Sequence, residues 1–247
     1  GVILMRRQDF QAAIQRFETC IRVAPKYQFS YQNLSSCYRS MGMFRNALAV
    51  LKQASTAYVV LSKEWQHLYG WLLLQAGDLL AAKEWYIDRV SREPNNNLLY
   101  NNLGVCFLES GDTRQGVQNF EKAIQIVKDK FKQQKSLSVI DLQAFYNRGR
   151  VALESGDRQK PNEIRKDLIK MNPDDAYALY VEGNNYLVAG KIQEALDTYH
   201  ESIKTNPFLP DPYPDVAFIL ECHAKDYQVT INLLEGALER GIKTALV

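Results

Sequence analysis

One stretch dominates this chain. Tyr100–Asp112 reads YNNLGVCFLESGD and is followed at a fixed distance by Phe120 and Ala123. An aromatic residue, then Leu103 and Gly104, then Phe107 and Gly111 recur in imperfect copies from one end of the sequence to the other. The glycines that close the first half of each copy are Gly42, Gly77, Gly111, Gly156 and Gly190, at intervals of 35, 34, 45 and 34 residues. A chain built this way has no single central core. Each copy buries its apolar face against its neighbours.

Between the glycines lie two amphipathic stretches with apolar residues three to four apart, which predicts a pair of helices per copy. Glycine suits the junction because the chain leaves the first helix through a positive φ. Prolines at 25, 94, 173 and 207 close several copies, since proline ends a helix and its predecessor resists the helical basin. Gly104, Gly149 and Gly183 fall inside helices, where each costs about 1 kcal/mol relative to alanine. Close approach of a facing helix is the reason to keep them. Phe107, Phe120, Tyr186 and Tyr199 then fill the space between pairs.

A period near 34 residues with two helices per unit resembles the tetratricopeptide repeat. The resemblance covers nearly the whole chain, as six units and a leading half-unit. It implies an all-α fold, a right-handed superhelical solenoid of antiparallel helix pairs, with residues 1–247 forming one solenoid. The half-unit at the start, and the lack of an evident polar capping helix at the end, suggest a fragment of a longer array.

Three places depart from the pattern. After Ala123 no proline follows and the next glycine comes late, so 127–138 is expected to be an extended second helix that projects from the stack. Pro161 stands where the repeat usually has alanine; proline is tolerated only in the first helical turn, so that second helix should start late. The last unit, 211–240, has lost its turn glycine, with Lys225 near the vacant place. Asn97 is the expected N-cap of its helix, and Asp174 and Asp175 sit at a helix start, where they complement the dipole.

Composition bounds function mainly by exclusion. The formal charge of +2 gives no argument for nucleic acid, although Lys122, Lys128, Lys130, Lys132 and Lys135 crowd one region. No apolar run approaches the ~20 residues of a membrane span. The cysteines, Cys20, Cys37, Cys106 and Cys222, form no C-x-x-C pair. Cys37 and Cys106 hold equivalent places in two units, as small core residues. Unpaired cysteines and the lack of a visible signal segment point to the cytoplasm. His67, His200 and His223 belong to no metal motif, and no phosphate-binding loop is present. No catalytic residue, cofactor or metal is expected.

In the family this chain resembles, the first helix of each unit lines a concave face that commonly binds an extended peptide or a partner helix. Carried over residue by residue, that geometry implies a protein-binding face at Asn33, His67, Trp71, Asn101, Asn102, Tyr146, Asn147, Arg150, Tyr180 and Asn184, with Gln32, Ser36 and Arg39 beside them. Asn33, Asn102 and Asn147 hold the same place in three units. An amide both donates and accepts, so a ladder of them suits a peptide backbone; the alternative is that asparagine simply tolerates a solvated face. Trp71, Tyr146 and Tyr180 would add contact area with few rotamers to freeze. The subtype that clamps the acidic tail of heat-shock chaperones needs lysines and an arginine at places held here by Asn101, Tyr177 and Val181, so such binding is not expected. Three functions compete: a non-catalytic scaffold for a protein or peptide segment, a targeting or regulatory region of a larger enzyme such as a glycosyltransferase, and a solenoid that self-associates through its ends.

Overall fold

The computed structural model describes residues 1–57, 63–134, 137–225 and 227–242, and contains helices and no strand among them. It divides into two compact units, 1–119 and 120–247.

The first unit holds α1 (Val2–Arg6), α2 (Phe10–Val23), α3 (Gln28–Ser40), α4 (Phe44–Thr56), α5 (Lys63–Gln75), α6 (Leu79–Arg92), α7 (Asn97–Glu109) and the start of α8 (Thr113–Gln134). Helices adjacent in sequence pack on one another, as the repeat spacing requires. Ala13, Phe17, Tyr31, Leu34, Cys37 and Ala54 form one buried cluster across α2, α3 and α4. Ala47, Leu51, Leu73, Ala82, Tyr86, Leu103 and Cys106 form the next, across α4 to α7. These are the positions the repeat pattern marks as core. Cys37 and Cys106 are fully buried, and burial pushes the Cys106 thiol up to about 12. Where α7 and α8 approach, a Cβ on Gly116 would stand 3.1 Å from the carbonyl oxygen of Gly104.

The second unit holds the rest of α8, a 3-10 turn (Val139–Leu142), α9 (Gln143–Glu154), α10 (Gln159–Met171), α11 (Ala176–Val188), α12 (Ile192–Thr205), α13 (Pro212–Ile219), a π turn (Leu220–Ala224) and α14 (Tyr227–Glu239). Here the mid-helix glycines serve close approach: a Cβ on Gly149 would run into Tyr177 of α11, and one on Gly183 into Tyr199 of α12. Pro161 lies in the first turn of α10, which begins three residues after Gly156 where the other second helices begin two after theirs.

All five turn glycines take a positive φ, between 69° and 81°. Two further turns take the same conformation without glycine. Gln8 (φ 60°) precedes α2 as Gly42 precedes α4, and Lys225 (φ 52°) stands where the last unit has lost its glycine.

Two expectations need correction. The N-cap of α7 is Asn96, whose side chain accepts from the Leu98 N–H at 3.2 Å; Asn97 is already helical and buried. The long α8 is present, but its extension does not project freely. Val127 is fully buried, Lys128 Nζ lies 2.6 Å from Asp167, and Lys130 Nζ 2.9 Å from Asp141. Asp141 also accepts from the Ser138 N–H and hydroxyl, closing a capping box on the 3-10 turn. The expected basic patch is thus largely paired with carboxylates, Lys132 meeting Asp129 at 3.0 Å. Lys135 and the part of the extension at 135–136 lie outside the described residues.

Candidate protein-binding surface

In the first unit, α5 presents Trp65, Leu68 and Trp71 at three-residue spacing, together with His67. With Arg39 from the end of α3 and Asn102 from α7 they line a cleft of about 450 Å³. Three of the expected residues, His67, Trp71 and Asn102, therefore meet at one place. The Trp71 ring is held edge-on by Phe44, centroids 5.4 Å apart, and the exposed Arg39 guanidinium stands 5.9 Å from its centroid. His67 Nε2 lies 3.5 Å from the Glu93 carboxylate.

The amides in this unit are partly engaged within the fold. Asn102 donates to the Tyr86 hydroxyl at 3.1 Å and accepts from Asn101 Nδ2 at 3.2 Å. One N–H and one lone pair of Asn102 stay available to a ligand. Asn101 is only 4% exposed, so its place is inside the packing and not on the binding face. Asn33 is half-buried on α3 and does not line the cleft.

In the second unit the expected residues divide differently. Tyr146, Tyr177, Tyr180 and Tyr199 form a chain of ring contacts with successive centroids 5.2, 5.7 and 5.9 Å apart. Tyr146 is buried and its hydroxyl donates to Asp175 at 2.7 Å, while Asp175 caps α11 by accepting from the Ala178 N–H. Burial, reinforced by that carboxylate, raises the Tyr146 phenol well above its usual range. Arg150 donates twice to Asp211, at 2.9 and 2.8 Å. Tyr146 thus acts inside the fold, contrary to the expectation of an outward-facing contact, whereas Arg150, though paired with Asp211, keeps its side chain 38% exposed. Asn147 is half-buried and accepts from Gln143 at 3.4 Å.

Tyr180 and Asn184 do come together, on the lining of a second cavity of about 320 Å³, with Asn185 and Asp215. Asn184 accepts from the Tyr199 hydroxyl at 2.7 Å. Asn185 and Asn162 exchange amide hydrogen bonds at 2.8 and 3.3 Å.

The sequence reading missed Trp65, Leu68, Asn162, Asn185 and Asp215. The three-residue spacing of Trp65, Leu68 and Trp71 was the available signal for the first two. Among the described residues, no helix is long and apolar enough to cross a membrane, and no group of three or more side chains is placed to hold a metal ion.

Comparison with known proteins decides the family. One sequence model described as the tetratricopeptide repeat matches residues 146–210, and a second with the same description matches 30–58 and 99–129. The chain is a tetratricopeptide repeat protein. It is 21% identical over 212 residues to the human protein named tetratricopeptide repeat protein 6, covering 82% of this chain and 37% of that one. The chain therefore spans little more than a third of that relative's length. Among solved structures, a tetratricopeptide repeat protein from Parabacteroides merdae aligns over 99% of this chain and 91% of its own, with a TM-score of 0.67 at 15% identity. The Cut9–Hcn1 hetero-tetramer of the APC/C includes a chain that aligns over 88% of this one and 41% of its own, with a TM-score of 0.57 at 17% identity. Both show the same helical-repeat fold. Tetratricopeptide repeats are scaffolds that typically mediate protein interactions, and the two clefts lie on such a scaffold.

Proposed function

We propose that this tetratricopeptide repeat protein is a non-catalytic scaffold that holds an extended segment of a partner protein against the first-helix face of its repeats. The observation that carries the reading is the cleft of the first unit. There Trp65, Trp71, His67, Arg39 and Asn102 converge from three first helices, α3, α5 and α7, on a space of about 450 Å³. Large, rotamer-poor aromatics beside an exposed arginine are the residue types that dominate binding energy where proteins meet. The spare amide groups of Asn102 suit a peptide backbone, which offers donors and acceptors whatever its sequence. The test is recovery of a partner by the intact chain. Recovery should be lost on Arg39→Ala with Trp71→Ala and kept on Gln118→Ala, an exposed position of α8. Equal recovery by all three proteins would place the interaction on another face.

A further inference from the structure

The cavity of the second unit has a chemistry of its own. Its walls include Leu153, Val181 and Val188, and its polar side is formed by Asn184, Asn185 and Asp215. Asp215 stands half-buried in the first turn of α13 and lines the cavity together with Tyr180. Its neighbour Asp211 is neutralised by Arg150, but no lysine or arginine among the described residues pairs with Asp215. Arg158 also borders the cavity; it is exposed and forms no ion pair among the described residues. Burial raises the Asp215 carboxyl above its ordinary range, and Asp211 adds to the effect against the hydrogen bond from Tyr180. A half-buried negative charge thus stands in the cavity wall with no basic side chain paired to it among the described residues, Arg150 being taken by Asp211 and Arg158 lying at the border. Such a site gains most from an arriving cation, because its carboxylate is already partly desolvated before the ligand binds.

We propose that this cavity accepts a lysine or arginine side chain of a partner's extended segment, the cationic head on the Asp215 carboxylate and the aliphatic stem along Leu153, Val181 and Val188. Long basic side chains divide in this way, stem on apolar surface and head on charge. The proposal rests on the reading that the first-helix face binds an extended segment, and it adds the charge that segment carries.

The test titrates a capped pentapeptide, Ala-Leu-Arg-Leu-Ala, and the same peptide with citrulline for arginine, into the isotope-labelled chain followed by NMR. Citrulline keeps the shape and loses the charge. Saturable shifts at the Asn184 and Asn185 side-chain amides are expected, with the citrulline peptide binding roughly tenfold or more weakly. Asp215→Asn should erase that difference. The substitution removes a half-buried charge and keeps the side chain's shape, so the thermal midpoint should hold or rise, and the comparison of the two peptides on the native chain does not depend on the variant. Equal binding of both peptides at these amides would overturn the cationic occupant and leave the groove reading standing. Shifts confined to the Trp71 indole would overturn the cavity and also leave that reading. No shift at either place would overturn the proposal and count against the groove reading itself.

Discussion

Arg150 and Asp211 lie 61 residues apart in sequence and are joined by two parallel hydrogen bonds, from Nε at 2.9 Å and from Nη2 at 2.8 Å. The Asp211 side chain is 6% exposed, so the pair ties the second half of α9 to the start of α13 around a carboxylate that water barely reaches. Such a fork is specific to arginine, whose planar guanidinium matches a carboxylate edge to edge. Arg150→Ala should therefore cost about 2 kcal/mol of stability, mostly from leaving Asp211 unpaired, and Arg150→Lys should recover only part of it. Denaturant unfolding of the three proteins checks this. Equal stability of the alanine variant would return Arg150 to the set of side chains free to meet a partner.

Gln8 and Lys225 carry the backbone conformation that glycine carries in the other turns. A non-glycine residue there is strained by roughly 1–2 kcal/mol, while glycine brings a more flexible unfolded chain worth about 0.5–1 kcal/mol in the opposite sense. Gln8→Gly and Lys225→Gly should each stabilise by up to about 1 kcal/mol, and Gly111→Ala should destabilise by a similar amount. Thermal melts of the three variants read the sign directly. Destabilisation by both glycine substitutions would mean that the side chains of Gln8 and Lys225 contribute contacts outweighing the strain.

These turns also show what a sequence of this kind reveals. A glycine every 34 or 35 residues is legible because positive φ selects it, and Lys225 was found by counting from Gly190. Gln8 was not, although it lies 34 residues before Gly42, because glutamine itself carries no sign of a positive φ. The core positions were legible for the same reason as the turns: Ala47, Ala82, Tyr31 and Tyr86 are buried where the pattern puts them. The binding face was legible only in part. Helical periodicity tells which side of α9 faces a neighbour, but not how far the contact spreads around it. Tyr146 and Asn147 are adjacent, and the difference between them came from Asp175, the N-cap of α11, which accepts from the Tyr146 hydroxyl. Asp215 escaped because the last unit, with Pro212, Pro214 and no turn glycine, gives no register from which its direction could be read.

The capping box at the end of the α8 extension sets a pH dependence. Burial raises the Asp141 carboxyl, but the Ser138 N–H, the Lys130 ammonium and the Ser138 hydroxyl outweigh it and hold the group below the usual carboxylate range. A carboxyl depressed in the folded state contributes its stability above the unfolded value of about 4 and loses it as pH falls through the folded value. Asp141→Asn should cost about 2 kcal/mol at neutral pH, the worth of hydrogen bonds to a charged group. The native and variant free energies should then converge below about pH 4. A gap that persists undiminished in acid would show that the variant disturbs packing and that the charge contributes nothing.

The cleft of the first unit allows binding to be separated from folding. Trp71 is the natural hot spot, and its truncation should weaken partner binding by roughly 2 kcal/mol or more. Trp71 also packs on Phe44 and belongs to the border of a core cluster, so Trp71→Ala alone will lower stability and leave its binding defect ambiguous. Arg39 removes the ambiguity. It is exposed, makes its contact with the Trp71 ring from outside, and should change stability by no more than about 0.5 kcal/mol when truncated. Its loss should still weaken binding by about 1 kcal/mol, through the missing cation and the freed indole. The measurement is the affinity of the recovered partner for the native chain, Arg39→Ala, Trp71→Ala and Gln118→Ala, each with its unfolding midpoint. Weakened binding by Arg39→Ala at an unchanged midpoint, beside native affinity for Gln118→Ala, assigns the interaction to this cleft. A binding loss that tracks the midpoint across all the variants would instead mean that the partner senses only whether the repeats are folded.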